Sequence, residues 1–61
     1  MTTDRERILE LLRELAEANP GLRVAQIVSA ASDRGGAGIM FYAEDRQLIY
    51  GLLALKKETQ P

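Results

Sequence analysis

Hydrophobic and polar positions follow a helical period over the first part of the chain. Apolar residues return every three or four positions, and charged residues fill the gaps between them. The apolar stripe consists of Ile8, Leu11, Leu12, Leu15 and Ala18. Thr3 and Glu6 have the spacing of a capping box, which satisfies free amides at a helix start. The pattern predicts a first helix at about 4–18, with one face in the core and the other in solvent.

A second helix is expected after the segment Asn19-Pro20-Gly21. Proline disfavours helical geometry at the residue before it, and glycine allows the chain to reverse, so this segment ends the first helix. The apolar residues that follow recur at helical rather than alternating spacing, although several of them are β-branched. We therefore expect a helix at about 22–32. The glycine-rich residues 35–38 are too short for an interdomain linker, and they predict a loop inside one domain that spans residues 1–61.

The third helix, expected at about 43–57, is apolar on most of its circumference. Its apolar residues lie on three sides: Leu48, Leu52 and Leu55 on one, Ile49 and Leu53 beside them, and Tyr50 and Ala54 beyond. Acidic Glu44 and Asp45 suit the positive end of a helix dipole, and Lys56 and Lys57 suit the negative end. The sequence thus predicts an all-α domain of three short helices.

Two local features qualify this assignment. Gly51 lies in mid-helix, where glycine is less favourable than alanine by about 1 kcal/mol. Its presence predicts that another backbone approaches closely at that point. The apolar run at 39–42 fits either an extended piece or the start of the third helix, because its length alone does not distinguish them.

Composition argues against an enzyme. The chain has no cysteine and no histidine, so it lacks disulfides, thiolate ligands and the commonest general base. Ser29 and Ser32 have no activating base near them in sequence. The adjacent carboxylates of Glu44 and Asp45 would point about 100° apart on a helix and would not share a proton or metal. We expect no catalytic residues, no cofactor and no metal site.

Charge and hydropathy bear on partners and location. Eight basic and nine acidic residues give a formal charge of -1, which does not favour binding to a phosphate backbone. A helix-turn-helix interpretation remains open, but its last helix would present Glu44 and Asp45 to DNA. No apolar run approaches the roughly 18 residues that span a bilayer, and residues 1–5 lack the features of a signal peptide. We expect a cytoplasmic protein without membrane contact.

Several segments resemble a group of small bacterial and phage proteins of uncharacterised function. The resemblance rests on a leucine-rich first helix, on Asn19-Pro-Gly-Leu-Arg23 with Gln26 three residues on, and on Phe41-Tyr-Ala-Glu-Asp45. It implies a small α-helical unit and no particular activity. It also draws attention to Arg23, whose planar guanidinium is suited to clamp Glu44 or Asp45. Such an ion pair would join the second helix to the start of the third.

A chain of this size has more apolar surface than it can easily bury in its own core. Domains of about 60 residues bury only about 60% of their unfolded surface, and this one has no covalent staple. We expect a non-enzymatic interaction module that self-associates through Phe41, Tyr50, Leu53 and Ala54. One alternative is a small regulator, of the sort that phages and mobile elements encode, which binds and inhibits another protein. A DNA-binding accessory factor of helix-turn-helix type is the other.

Overall fold

Three α-helices and one 3-10 turn make up the fold. The computed structural model describes residues 2–59, and in that part of the chain every regular element is helical. The elements are α1 (Asp4–Ala18), α2 (Val24–Arg34), the 3-10 turn (Met40–Tyr42) and α3 (Asp45–Thr59). The predicted all-α class with three helices is therefore confirmed.

The first helix has the predicted bounds, and side chains close both of its ends. The Glu6 amide donates to Thr3 Oγ1 at 3.2 Å, and the Thr3 hydroxyl donates in turn to Glu6 Oε1 at 3.0 Å. At the other end, Asn19 Nδ2 donates to the Leu15 carbonyl at 3.0 Å. The bonds to the Glu6 amide and the Leu15 carbonyl satisfy backbone groups that a helix terminus leaves without partners, so α1 begins and ends where the sequence indicates.

The second and third helices begin and end two residues later than predicted. Arg23 has extended backbone geometry, and its amide donates to Gln26 Oε1 at 2.8 Å. At α3 the Glu44 amide donates to Gln47 Oε1 at 2.9 Å. In both cases the side chain of a glutamine in the first turn accepts a hydrogen bond from the amide of the residue just before the helix. The helix therefore starts after Arg23 in one case and after Glu44 in the other. Leu22 therefore belongs to the turn before α2.

The core lies between α3 and the two other helices. Its buried residues are Ile8, Leu11, Leu15, Ile27, Ala31, Leu52 and Leu55. Asp4 lies beside Arg46, and Glu14 pairs with Lys56, so α1 and α3 run in the same direction. α3 makes extensive contact with both α1 and α2, whereas α1 and α2 share a smaller contact. The side of α3 that carries Leu48, Leu52 and Leu55 is thus covered by both neighbours.

Glycine allows α2 and α3 to approach backbone to backbone. A Cβ added at Gly51 would lie 1.7 Å from the Ala31 carbonyl oxygen, and one added at Gly35 would lie 2.0 Å from that of Gln47. The two contacts also show that α2 runs opposite to α3 where they cross. The expectation that a backbone approaches Gly51 is confirmed, and the approaching backbone belongs to the same chain.

The apolar run at 39–42 is a short 3-10 turn. The loop before it uses positive φ at Gly36 (77°) and Gly38 (73°), a backbone conformation that glycine adopts without steric penalty. Among the described residues, the turn packs against α2 and against neither α1 nor α3. The question left open by the sequence is settled in favour of a separate element between α2 and α3.

Candidate interaction surfaces

Exposed apolar side chains concentrate in two places on the surface. The first comprises residues 39–42, which we call the ledge. The second is the outer face of α3, which we call the α3 stripe, made of Arg46, Tyr50, Leu53, Ala54 and Lys57. Three further apolar residues are exposed outside these two surfaces: Leu9 on α1, Leu22 in the turn before α2, and Val24 at the start of α2.

The ledge is the more exposed of the two. Phe41 is 85% exposed and Tyr42 is 72% exposed, and Ile39 and Met40 beside them are also exposed. The rings of Phe41 and Tyr42 meet edge to face, with centroids 5.1 Å apart and planes at 86°. This geometry is favourable for aromatic pairs and holds both rings on one projecting turn. The ledge contains no charged side chain.

A groove separates the ledge from the outer face of α2. Its volume is about 610 Å³, and it opens widely to solvent. Small residues of α2, among them Ala25, Ser29 and Ala30, form its floor, and Gly38 and Met40 form its other wall. Ser32 of α2, which also lines the groove, is buried, and its hydroxyl donates to the Val28 carbonyl at 2.9 Å. The small side chains of α2 thus leave room next to the projecting rings.

The α3 stripe is a narrower surface that faces away from the core. Tyr50 is 64% exposed and Leu53 is 40% exposed, while Ala54 is half-buried. A hollow of about 150 Å³ lies beside the Tyr50 ring, bordered by Ile49, Arg46 and Asp4. Exposed Arg46 and Lys57 stand at the two ends of the stripe.

The structure divides the predicted self-association set between these two surfaces. Phe41 belongs to the ledge, whereas Tyr50, Leu53 and Ala54 belong to the α3 stripe. The backbone of the 3-10 turn does not pack against α3, so Phe41 and the three α3 residues lie on separate elements. The sequence does not predict this division, because the path of the glycine-rich loop at 35–38 determines which helix the ledge packs against.

Ion pairs join α3 to each of its neighbours. Lys56 Nζ donates to Glu14 Oε2 at 2.6 Å, and this bond holds the pKa of the Glu14 carboxyl below its usual value. Arg34 pairs with Glu58 through two bonds, of which the Nη2 to Oε1 bond is 3.0 Å long. The Arg34 hydrogen bond lowers the pKa of Glu58, and the pairing raises the pKa of Arg34.

The predicted pairing of Arg23 with Glu44 or Asp45 does not occur in this structure. Four ion pairs form among residues 2–59, and none of them includes these three residues. The exposed side chains of Arg23, Glu44 and Asp45 flank the starts of α2 and α3. The Gln26 side chain holds the Arg23 amide instead, so the glutamine of this motif has a local capping role.

Two further results concern metals and membranes. Within residues 2–59, no three carboxylates come together in a group that could hold a metal ion. None of the helices in that range is long and apolar enough to cross a membrane.

A comparison of the chain with protein-family models, with curated proteins and with solved structures found no match. The resemblance to small bacterial and phage proteins therefore stays a prediction.

Proposed function

We propose that this protein is a non-enzymatic protein–protein interaction module that self-associates through the ledge. The observation that carries the proposal is the exposure of the paired rings of Phe41 and Tyr42 beside an open groove. We place its action in the cytoplasm, a compartment that a chain without cysteine permits.

The apolar area of the ledge is large enough to drive association. A buried aromatic residue removes about 150–250 Å² from water, so the two exposed rings alone offer roughly 300 Å². At about 25 cal/mol per Å², their burial contributes roughly 7 kcal/mol for each chain. Association itself opposes this with an estimated 4–15 kcal/mol. The balance favours a reversible oligomer that depends on protein concentration.

A two-fold axis suits the arrangement of ledge and groove. Met40 belongs to both, so the groove begins next to the turn that carries the rings. In a symmetric dimer each copy offers the same patch to the other. The rings of each chain would then fill the groove of its partner, and the absence of charge on the ledge means that no like charges oppose one another there.

Sedimentation velocity across about a hundredfold concentration range tests this proposal, because linked association shifts with concentration. We expect wild-type protein to pass from monomer to dimer and Phe41→Glu to stay monomeric. Leu9→Glu is the matched control: Leu9 is 65% exposed on α1, and its substitution adds the same charge away from the ledge. The control should associate like wild type.

The proposal fails if wild type stays monomeric at the highest concentration, or if Phe41→Glu associates as strongly as wild type. Circular dichroism of both variants checks that helix content is unchanged. Tyr50→Glu and Leu53→Glu identify the surface that is used. If Tyr50→Glu and Leu53→Glu are monomeric while Phe41→Glu still associates, the self-interface lies on α3 and not on the ledge.

A further inference from the structure

The α3 stripe combines an apolar centre with positive charge at both ends. Arg46 and Lys57 are eleven positions apart, which corresponds to about 16 Å along a helix axis. Tyr50 and Leu53 lie between them and are exposed. The hollow beside Tyr50 is of a size to receive one aliphatic side chain, and Asp4, Arg46, Ile49 and the tyrosine line it.

Neither cation of the stripe takes part in an ion pair of the described residues. Lys56 and Arg34, by contrast, are paired with acids of the neighbouring elements. Asp4 borders the same hollow as Arg46, but no ion pair joins the two within residues 2–59. Both ends of the stripe therefore present a cation that can accept an acidic partner from outside.

From this charge pattern we propose that the α3 stripe binds an amphipathic helix of another protein, with acidic residues at both ends of its apolar face. The apolar side chains of that helix cover Tyr50, Leu53 and the hollow. Its acidic residues meet Arg46 and Lys57. Grooves and faces of this kind bind helices through anchors at helical spacing, and the charges at the rim decide orientation and partner choice.

A second copy of this chain fits the stripe poorly. Any two-fold pairing of the stripe with itself, parallel or antiparallel, brings a cation to face a cation, because Arg46 and Lys57 are its only charges. Like charges placed opposite one another disfavour an interface. Two exposed acids of α1 also have partners, since Glu10 pairs with Arg7 and Glu17 with Arg13.

Nucleic acid fits the stripe less well than an acidic helix. Phosphate backbones are bound by rows of cations, and here uncharged side chains occupy the space between two isolated ones. The exposed acids Glu44 and Asp45 lie next to Arg46 at the start of α3. The apolar centre would remain uncovered by a phosphate backbone.

A display library of helical peptides is the probe for this surface. Each peptide has leucines at the apolar positions, and Glu, Gln or Lys in equal proportion at the positions that flank them on both sides. Selection on wild type should enrich Glu at both flanks. Selection on the double variant Arg46→Glu/Lys57→Glu should enrich Lys at the same positions. A change from Glu on wild type to Lys on the double variant is expected only if the flanking residues of the peptide pair with the charges of the stripe.

Affinities of one selected Glu-flanked peptide then give the size of the effect. We expect Arg46→Glu to weaken binding about tenfold or more, and binding to wild type to weaken as salt screens the pairs. Arg23→Glu is the matched control, because it reverses an exposed arginine that precedes α2 and does not belong to the stripe. It should bind the peptide like wild type, and all variants should keep the helical dichroism spectrum.

Three results would overturn the proposal. In the first, selection on wild type enriches no peptide more strongly than selection on Leu53→Glu does, or the enriched peptides show no preference for Glu at the flanking positions. In the second, Leu53→Glu dissociates the self-associated protein, which would make a second copy the occupant. In the third, duplex DNA binds wild type, loses binding in Arg46→Glu and keeps it in Leu53→Glu. Phe41→Glu should leave peptide binding intact, so this test is independent of the ledge.

Discussion

Glycine, which has no side chain, determines how closely α2 and α3 pack. At Gly51 the Ala31 backbone occupies the space that a Cβ would need. Backbone atoms cannot rotate away as side chains do, so an added methyl group must push the helices apart. The sequence predicted this close approach, because a glycine in the middle of a helix is otherwise unfavourable. It could not identify Ala31, since nothing in the spacing of α2 distinguishes one small residue from another.

We predict that Gly51→Ala lowers the free energy of unfolding by about 2 kcal/mol or more, although alanine is the better helix former. Thermal and urea melts measure the change. Gly21→Ala is the control, because nothing lies within 4 Å of its added Cβ and its φ is not positive. The control should melt within a few degrees of wild type. If Gly51→Ala melts at or above wild type, the close crossing of α2 and α3 is wrong.

At the scale of elements, hydrophobic periodicity identified each helix but not where α2 and α3 begin. The residues before these helices, Arg23 and Glu44, are not typical N-caps, so the sequence offered no start signal of the kind that Thr3 gives α1. The glutamines Gln26 and Gln47 supply the capping acceptor instead. This is why α1 was predicted to the residue, whereas the other two helices were displaced by two.

Two ion pairs between elements should make stability fall at acid pH. The pKa values of Glu14 and Glu58 are lowered by Lys56 and Arg34, so both carboxylates stabilise the fold above the unfolded pKa of about 4.3. That contribution is lost as the pH falls through the lowered folded values. We predict that Glu14→Gln/Glu58→Gln has a lower Tm than wild type at neutral pH and a smaller further decrease on acidification.

Melts from neutral pH to about pH 3, below the ordinary carboxyl range, measure this difference. Lys56→Gln should reproduce part of the effect, because it removes the partner of Glu14. Lys57→Gln removes the same charge from the same end of α3, but Lys57 takes part in none of the ion pairs of residues 2–59, so this variant should follow the wild-type curve. Parallel pH curves for wild type and the double glutamine variant would contradict the role of these pairs.

For the whole molecule, folding and association should be linked. A chain of 61 residues is expected to have a stability of only about 3–9 kcal/mol, so burial of the ledge contributes on the same scale. We predict that the Tm of wild type rises by about 3–5 °C for each tenfold increase in concentration while dimers form. Calorimetry at several concentrations measures it. Phe41→Glu should show one constant Tm, and a constant Tm in wild type would contradict the linkage.

The course of the chain in three dimensions has a kinetic consequence. α1 packs mainly on α3, and its pairing of Glu14 with Lys56 joins residues 42 positions apart. α2 and α3 are consecutive helices that share the largest interface, in which Gly51 meets the Ala31 backbone. Because distant contacts require closure of a long loop, we expect the α2–α3 hairpin to form the folding nucleus and α1 to dock last. Substitutions in the α1 core, such as Leu11→Ala, should then accelerate unfolding and leave the folding rate nearly unchanged.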